Sequence, residues 1–535
     1  MTVQRRDLLK FAGGGLGLAA VPLAVAAASH PAVGADSQGS LTGWLNVRNF
    51  GAVGDGKTLD TPAINKAIDA AAAAGGGTVF FPAGVYASYS IHLKSNVCLY
   101  LDQGATILAA STPIEGTTTG GYNVAEPQGA WEPYQDYGHN HWHNSLIWGE
   151  SIHDVSILGP GLIWGKGLSR GHDEKALPDT TKPGVGNKAI ALKNCYNVIL
   201  RDFSILQGGW FGILATGVDN LTIDNLKIDT NRDGMDIDCC RNVRVSNCTV
   251  NSPWDDAICP KSSFALGYAR ATENVTITNC YVTGDYELGS VLDGTWKRRP
   301  AGPKNWATGR IKLGTESNGG FRNITISNCV FENCRGFALE TVDGALCEDI
   351  TFTGIAMRGV VNAPLFLRLG TRMRGPQGTP VGILKRVILS NIVSSGAGMM
   401  PSILSGVPGH NIEDIKISDV YFEQQGTGSA ALAAIEPPLK ENAYPEPTMF
   451  GDLPASGIFI RHVRNLEVSN VEIAIAQADA RPAFWLADVD GAEFFRVRVP
   501  GGAPAFDLRR VKNFRSFGSR SVGDVSLENV EARKV

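Results

Sequence analysis

Two short segments carry an unusual concentration of acids. Asn231-Arg232-Asp233-Gly234-Met235-Asp236 is followed by Trp254-Asp255-Asp256, and Asp233 and Asp255 are 22 positions apart. The same interval separates copies of a local repeat. In a strand-rich repeat, equivalent positions on consecutive coils stack roughly 4.8 Å apart, the spacing of neighbouring strands. The interval therefore predicts Asp233 beneath Asp255, with Asp256 alongside. Carboxylates held this close push one pKa up and leave another down. That split lets one group serve as acid and another as base.

The elements that must position these acids can be read from the repeat. Each copy begins with Asn and continues with alternating apolar and polar residues: Asn197-Val198-Ile199-Leu200, Asn220-Leu221-Thr222-Ile223, Asn242-Val243-Arg244-Val245, Asn274-Val275-Thr276-Ile277 and Asn323-Ile324-Thr325-Ile326. Degenerate copies follow near Asp349, Arg386, Asp414, Asn465 and Asn513. Alternation puts one face of a strand inward and the other outward. A polar residue recurring at the turn can hydrogen-bond its counterparts on adjacent coils. The fold expected is all-β, a right-handed parallel β-helix (solenoid) over residues 45–535, with loop insertions at 284–308 and 425–455, the latter a surface excursion. Solenoid ends expose strand edges and need caps. Asp60-Thr61-Pro62 starts a helix with proline just inside its beginning, and Gly75-Gly76-Gly77 ends it, giving a helical N-terminal cap.

Only 19% of the 535 residues are charged and 63 are glycine, against roughly 25% charged in average soluble domains, which favours turn-rich β structure. The net charge of −4 gives no reason to expect nucleic acid as a partner. Arg5-Arg6 ahead of an apolar, alanine-rich run predicts a twin-arginine export signal over residues 1–35, and hence a periplasmic or secreted protein with no lasting membrane insertion. Of the ten cysteines, Cys248, Cys280 and Cys329 occupy equivalent repeat positions and are expected as a buried stack of thiols.

Asn231, Asp233 and Gly234 with Asp255-Asp256, on such a repeat, resemble glycoside hydrolase family 28, the polygalacturonase-like pectin-degrading β-helix enzymes. Asn49-Phe50-Gly51-Ala52-Val53-Gly54-Asp55-Gly56 and Pro82-Ala83-Gly84-Val85-Tyr86 resemble the N-terminal region of the same superfamily. The resemblance implies inverting hydrolysis of a pectic or related acidic polysaccharide. Asp255 would be the general acid, Asp233 and Asp256 would activate water, and Asn231, Arg232 and Lys261 would contact substrate. Inversion calls for roughly 6.5–9.5 Å between acid and base. The family's Gly-His-Gly motif is missing. Arg310-Ile311-Lys312 looks like its Arg-Ile-Lys motif but falls one coil early, with Gly309 at the histidine position and Ala338-Leu339-Glu340 where Arg-Ile-Lys belongs. In a second register Arg310 and Lys312 serve directly. Either the sugar at the cleavage point is not a uronate, or Arg232, Arg310, Lys312 or the loop Trp296-Lys297-Arg298-Arg299 supplies the cations.

Other candidates are less specific. His139, His141 and His143 alternate as on a strand and suit the wall of a sugar cleft, with His141 a candidate substrate contact; plain packing or a metal are the other readings. Trp210-Phe211, one repeat below Asp233, offers either a stacking platform or core packing. Asp236 reads as support for the site and Asp238 as solvated. Hydrolysis needs no metal or cofactor and a monomer suffices. The alternatives are a polysaccharide lyase with calcium on Asp233, Asp236 and Asp255, and a carbohydrate-binding β-helix without catalysis.

Overall fold

The corners of the repeat explain its regularity. In the computed structural model, which describes residues 43–111, 121–169, 181–300 and 307–535, Asn197, Asn220, Asn242, Asn274 and Asn323 all adopt the left-handed backbone, with φ between 52° and 58°. That conformation is costly for most L-residues, and asparagine is among the few that visit it routinely. The side chains then form a ladder along the coils. Asn220 Nδ2 donates to Asn197 Oδ1 at 3.0 Å, Asn242 to Asn220 at 3.3 Å, Asn274 to Asn242 at 3.1 Å and Asn323 to Asn274 at 2.8 Å. Asp349, Arg386, Asp414, Asn465 and Asn513 turn in the same way, so the degenerate copies are corners too. The segment over residues 1–35 lies outside the described residues.

With each corner turning at the same residue, the position after it always faces inward. Val198, Leu221, Val243, Val275, Ile324 and Ile350 pair in consecutive parallel strands and are buried. One apolar core runs through the coils. Cys248, Cys280 and Cys329 are buried within it as free thiols. The chain from Gly43 to Val535 forms one compact parallel β-helix.

One ladder of parallel strands carries the acids. Its members are β1 (Ile91–His92), β2 (Ile147–Glu150), β3 (Lys188–Lys193), β4 (Phe211–Thr216), β5 (Asp233–Asp238) and β6 (Ile258–Lys261). A single bridge from Ile258 to Ile311 continues it to β7 (Lys312–Leu313), which pairs with β8 (Phe337–Thr341).

The N-terminal end is covered by helix α1 (Thr61–Ala73), whose Ala63, Ile64, Ala67, Ile68 and Ala71 form one buried face. The carboxylate of Asp60, just before it, accepts from the Val53 and Gly54 amides at 2.7 and 3.0 Å. The other end finishes with Val525–Lys534 running antiparallel to Phe506–Phe517.

The 425–455 segment is more than a surface excursion. It contains helix α2 (Ala430–Ala433) and a 3-10 turn at Pro447–Phe450. Phe450, Leu453 and Ala455 pack with Ala338, Phe366, Phe459 and Trp485 in a second apolar cluster. Buried arginines tie its backbone down. Arg461 donates to the Pro437 and Pro438 carbonyls at 2.7 and 2.9 Å, and Arg368 donates to Lys440 O at 2.9 Å.

Asn242→Ala removes two ladder hydrogen bonds and strains a left-handed corner. We expect it to cost about 1–2 kcal/mol in urea denaturation, and Asn242→Gly, which relieves the strain, to cost less. Equal losses for the two variants would show that corner conformation contributes nothing.

Candidate active site

Asp233 opens β5, and Asp255 and Asp256 lie in the turn before β6. Met235 pairs with Ile258 and Asp236 with Cys259, an offset one residue longer than the 22-residue interval. The stacked pair is consequently Asp233 and Asp256, not Asp233 and Asp255. The Gly234 amide donates to Asp256 O and the Asp256 amide to Asp233 Oδ1, both at 2.9 Å. The extra residue falls in the Pro253-Trp254 turn, whose Trp254 amide is held by Asn231 O at 3.2 Å. The three acids still converge, with one oxygen of each lying within 4.8 Å of the others.

Their surroundings separate them. Asp233 and Asp256 are buried, whereas the Asp255 side chain is 29% exposed. Burial pushes Asp233 well above the usual carboxylate range, and the charges of Asp255 and Asp236 push it further. Burial also acts upward on Asp256, but Lys312 and Arg310 outweigh it and hold this carboxyl below the usual range. Arg310 Nε is 2.9 Å from Asp256 Oδ1, and Lys312 Nζ contacts Oδ2. Such a contrast is what divides acid from base in a carboxylate pair.

Arg310 and Lys312 sit on the coil directly after the Asp pair, and Lys312 pairs with Ala338. The Arg-Ile-Lys segment is therefore one coil ahead of Ala338-Leu339-Glu340, and both its cations turn onto Asp256. A histidine at position 309 is excluded sterically. Gly309 has φ 51°, and a Cβ there would lie 2.1 Å from the Thr283 carbonyl oxygen. Glu340, on β8, is buried with neither carboxylate oxygen hydrogen-bonded within the described residues. Burial raises its pKa to about 7.

The other predicted contacts divide. Arg232 Nη2 lies 3.3 Å from Asp255 Oδ2, with its guanidinium 4.6 Å from the Trp210 ring centre. Trp210 itself is buried among Trp142, Trp148 and Phe211. It supports Arg232 from below, and a sugar cannot stack on it. Lys261 Nζ lies 3.3 Å from Glu316 and 4.0 Å from Asp236. His141 is misplaced by the strand reading, since the stretch folds as a 3-10 turn at Tyr137–His139. Its Nδ1 is 2.9 Å from Tyr137 O and its Nε2 3.4 Å from Glu132. His139 instead reaches the site, with Nε2 3.3 Å from Asp236. Asp238 is buried rather than solvated, accepting from the Ser263 hydroxyl at 2.6 Å and the Ser263 amide at 2.8 Å.

The residue least visible beforehand is Glu446, carried by the 425–455 segment. Its carboxylate contacts Arg310 and lies 3.0 Å from Arg335 Nη1. Tyr444 joins it, its hydroxyl accepting from Thr315 Oγ1 at 3.0 Å. No spacing rule links positions so far apart in sequence. In the 284–308 loop, Lys297 and Arg298 are paired with Glu287 and Asp285 at 2.7 and 2.9 Å, and Arg299 lies over Trp254 at 4.5 Å.

Comparison with known proteins agrees with this architecture. Residues 179–295 match a family model described as a right-handed β-helix region, and residues 44–139 match one described as rhamnogalacturonase A/epimerase, pectate lyase-like. A probable polygalacturonase of Vitis vinifera is 25% identical over 70% of this chain and 72% of its own length. An exo-poly-alpha-D-galacturonosidase of Dickeya chrysanthemi is 23% identical over 73% of this chain and 68% of its own. The solved structure of a Yersinia enterocolitica family 28 exopolygalacturonase superimposes with a TM-score of 0.60 at 19% identity, covering 86% of this chain and 79% of that one. The protein is a right-handed parallel β-helix. Over about 70% of its length it is similar in sequence to proteins named polygalacturonase or exo-polygalacturonosidase, at 23–25% identity.

Glu340 gives a pH test. An acid whose pKa is raised from 4.5 to about 7 in the protein holds its proton more tightly than the unfolded chain does. The stability this permits is fully present below pH 4.5 and is lost as pH rises through 7, amounting to about 3 kcal/mol. Glu340→Gln stays neutral throughout, so its melting temperature should gain on the parent between pH 4.5 and 7 and hold that gain above. Parallel melting curves across this range would mean that folding does not raise the Glu340 pKa.

Proposed function

We propose that the protein is a glycoside hydrolase acting on a pectic polysaccharide. The observation that carries this reading is the convergence of Asp233, Asp255 and Asp256, with Asp233 biased towards its protonated form and Asp256 towards its ionised form. In the proposed reaction, Asp256 takes a proton from the water that attacks the anomeric carbon. The C–O bond to the leaving sugar breaks as its oxygen receives a proton. That proton comes from the Asp233/Asp255 pair, delivered by Asp255, the acid nearest solvent. Arg232 steadies Asp255, while Arg310 and Lys312 keep Asp256 ionised. The cleaved chain is saturated, which separates hydrolysis from lyase chemistry. We further propose that the protein is exported through the twin-arginine route, on the strength of Arg5-Arg6 and the apolar run behind it.

Asp255→Asn and Asp256→Asn should each lower kcat by about 10²–10⁴-fold, read as new reducing ends on a panel of polygalacturonate, rhamnogalacturonan and neutral pectic side chains. Products absorbing near 235 nm in place of saturated oligosaccharides would identify a lyase. Binding without any product would identify a non-catalytic β-helix.

Lys312→Met removes a cation from Asp256. The Asp256 pKa should rise, moving the acid limb of kcat/KM to higher pH; an unmoved limb would take Asp256 out of the base role. The stereochemistry of hydrolysis is a separate measurement. The nearest oxygens of the trio are within 4.8 Å, closer than the roughly 6.5–9.5 Å between carboxyls that leaves room for water in inverting enzymes. Inversion therefore rests on the family resemblance, and proton NMR of the first-formed anomer tests it.

A further inference from the structure

A site that binds a uronate needs a cation whose donors are available to the sugar's carboxylate. Around the trio, Lys312, Lys261, Arg232 and Arg310 are each engaged by acids of the chain itself. Lys312 contacts Asp256, Lys261 is 3.3 Å from Glu316 and Arg232 is 3.3 Å from Asp255. Arg310 bridges two carboxylates, Asp256 through Nε at 2.9 Å and Glu446 through Nη2. Glu446 reaches a second guanidinium, Arg335, at 3.0 Å. One carboxylate held by two arginines is the arrangement a bound uronate would make. Here the chain supplies that carboxylate.

Glu446 is firmly held in place. It immediately precedes the turn Pro447–Phe450, whose Phe450 is buried in the second apolar cluster, and buried Arg368 and Arg461 fasten the same segment by its carbonyls. A substrate carboxylate would have to displace an acid whose supports do not move with it. The next coil adds another acid, Glu340, on β8 beside Gly314, so it offers no replacement cation.

We propose that Glu446 is a specificity-determining residue whose carboxylate fills the position of a uronate carboxylate, so that the sugar bound at the cleavage point is uncharged. This rests on the hydrolase reading above and narrows its substrate to a neutral unit within a pectic polymer.

The test compares the parent protein with Glu446→Gln and Glu446→Asp, with thermal melts confirming that each variant is folded. Hydrolysis of neutral pectic galactan and of polygalacturonate is measured alongside calorimetric binding of digalacturonate. The parent should favour the neutral polymer by at least about tenfold in kcat/KM, since one like-charge contact or unpaired charge shifts discrimination by that order. Glu446→Gln should move the ratio towards polygalacturonate by a similar factor and tighten digalacturonate binding, whereas Glu446→Asp should stay near the parent. A parent that prefers polygalacturonate, or a folded Glu446→Gln with an unchanged ratio, overturns the proposal while leaving hydrolysis standing. If neither polymer nor rhamnogalacturonan is cleaved, the hydrolase reading fails. Binding then decides the Glu446 assignment: tighter digalacturonate binding by Glu446→Gln supports it and equal binding refutes it.

Discussion

Everything in this molecule depends on each coil turning at the same residue. A parallel strand can slip along its neighbour, and a slip of one position would carry every inward side chain to the outside. The left-handed corners at Asn197, Asn220, Asn242, Asn274 and Asn323 prevent this in two ways. They fix where the backbone bends, and their amides bind the preceding coil's amide. The core then follows, because the residue after each corner always points inward. Chemistry follows as well, since residues on different coils can meet only if the register between those coils is fixed.

The site shows what a fixed register allows. A single added residue in the turn at Pro253-Trp254 brings Asp256 over Asp233 and leaves Asp255 nearer solvent. Two cations from the next coil then hold Asp256 ionised, and Glu446 from a distant segment holds one of those cations. Acids and bases alternate through the contacts from Asp256 through Arg310 and Glu446 to Arg335. Removing one member of such a buried set leaves its neighbour's charge without compensation, at a cost of about 3–5 kcal/mol. Positioning and stability are therefore linked here, and a variant in this group must be shown to be folded before its kinetics are interpreted.

The fold could be read from the sequence because its signal is local and repeated. The asparagine-led phrase returns often enough to reveal corners even at Asp349, Arg386 and Asp414, where asparagine itself is absent. The helical cap was equally plain from Pro62 and the Gly75-Gly76-Gly77 run. The three acids could be read for the same reason. What escaped was non-periodic. The one-residue offset at Asp255-Asp256 depends on a turn whose geometry spacing cannot give. His141 and His139 exchanged importance because a 3-10 turn replaced the expected strand. Asp238 looked solvated only because alternation was extended through a strand that is buried at every position. Glu446 had no signal at all, since its partner Arg310 lies on the other side of a long stretch of sequence and is met only after the insertion folds back.

The last strand, Val525–Lys534, reverses direction against Phe506–Phe517. A strand running in the direction of the coils would therefore meet it antiparallel, while the coils themselves pair in parallel. The last strand is also largely exposed and bears Glu528, Glu531, Arg533 and Lys534. A second copy arriving with its own first coil would meet a reversed strand and a row of charges. Edge-to-edge stacking from molecule to molecule is opposed by this reversed, charged strand.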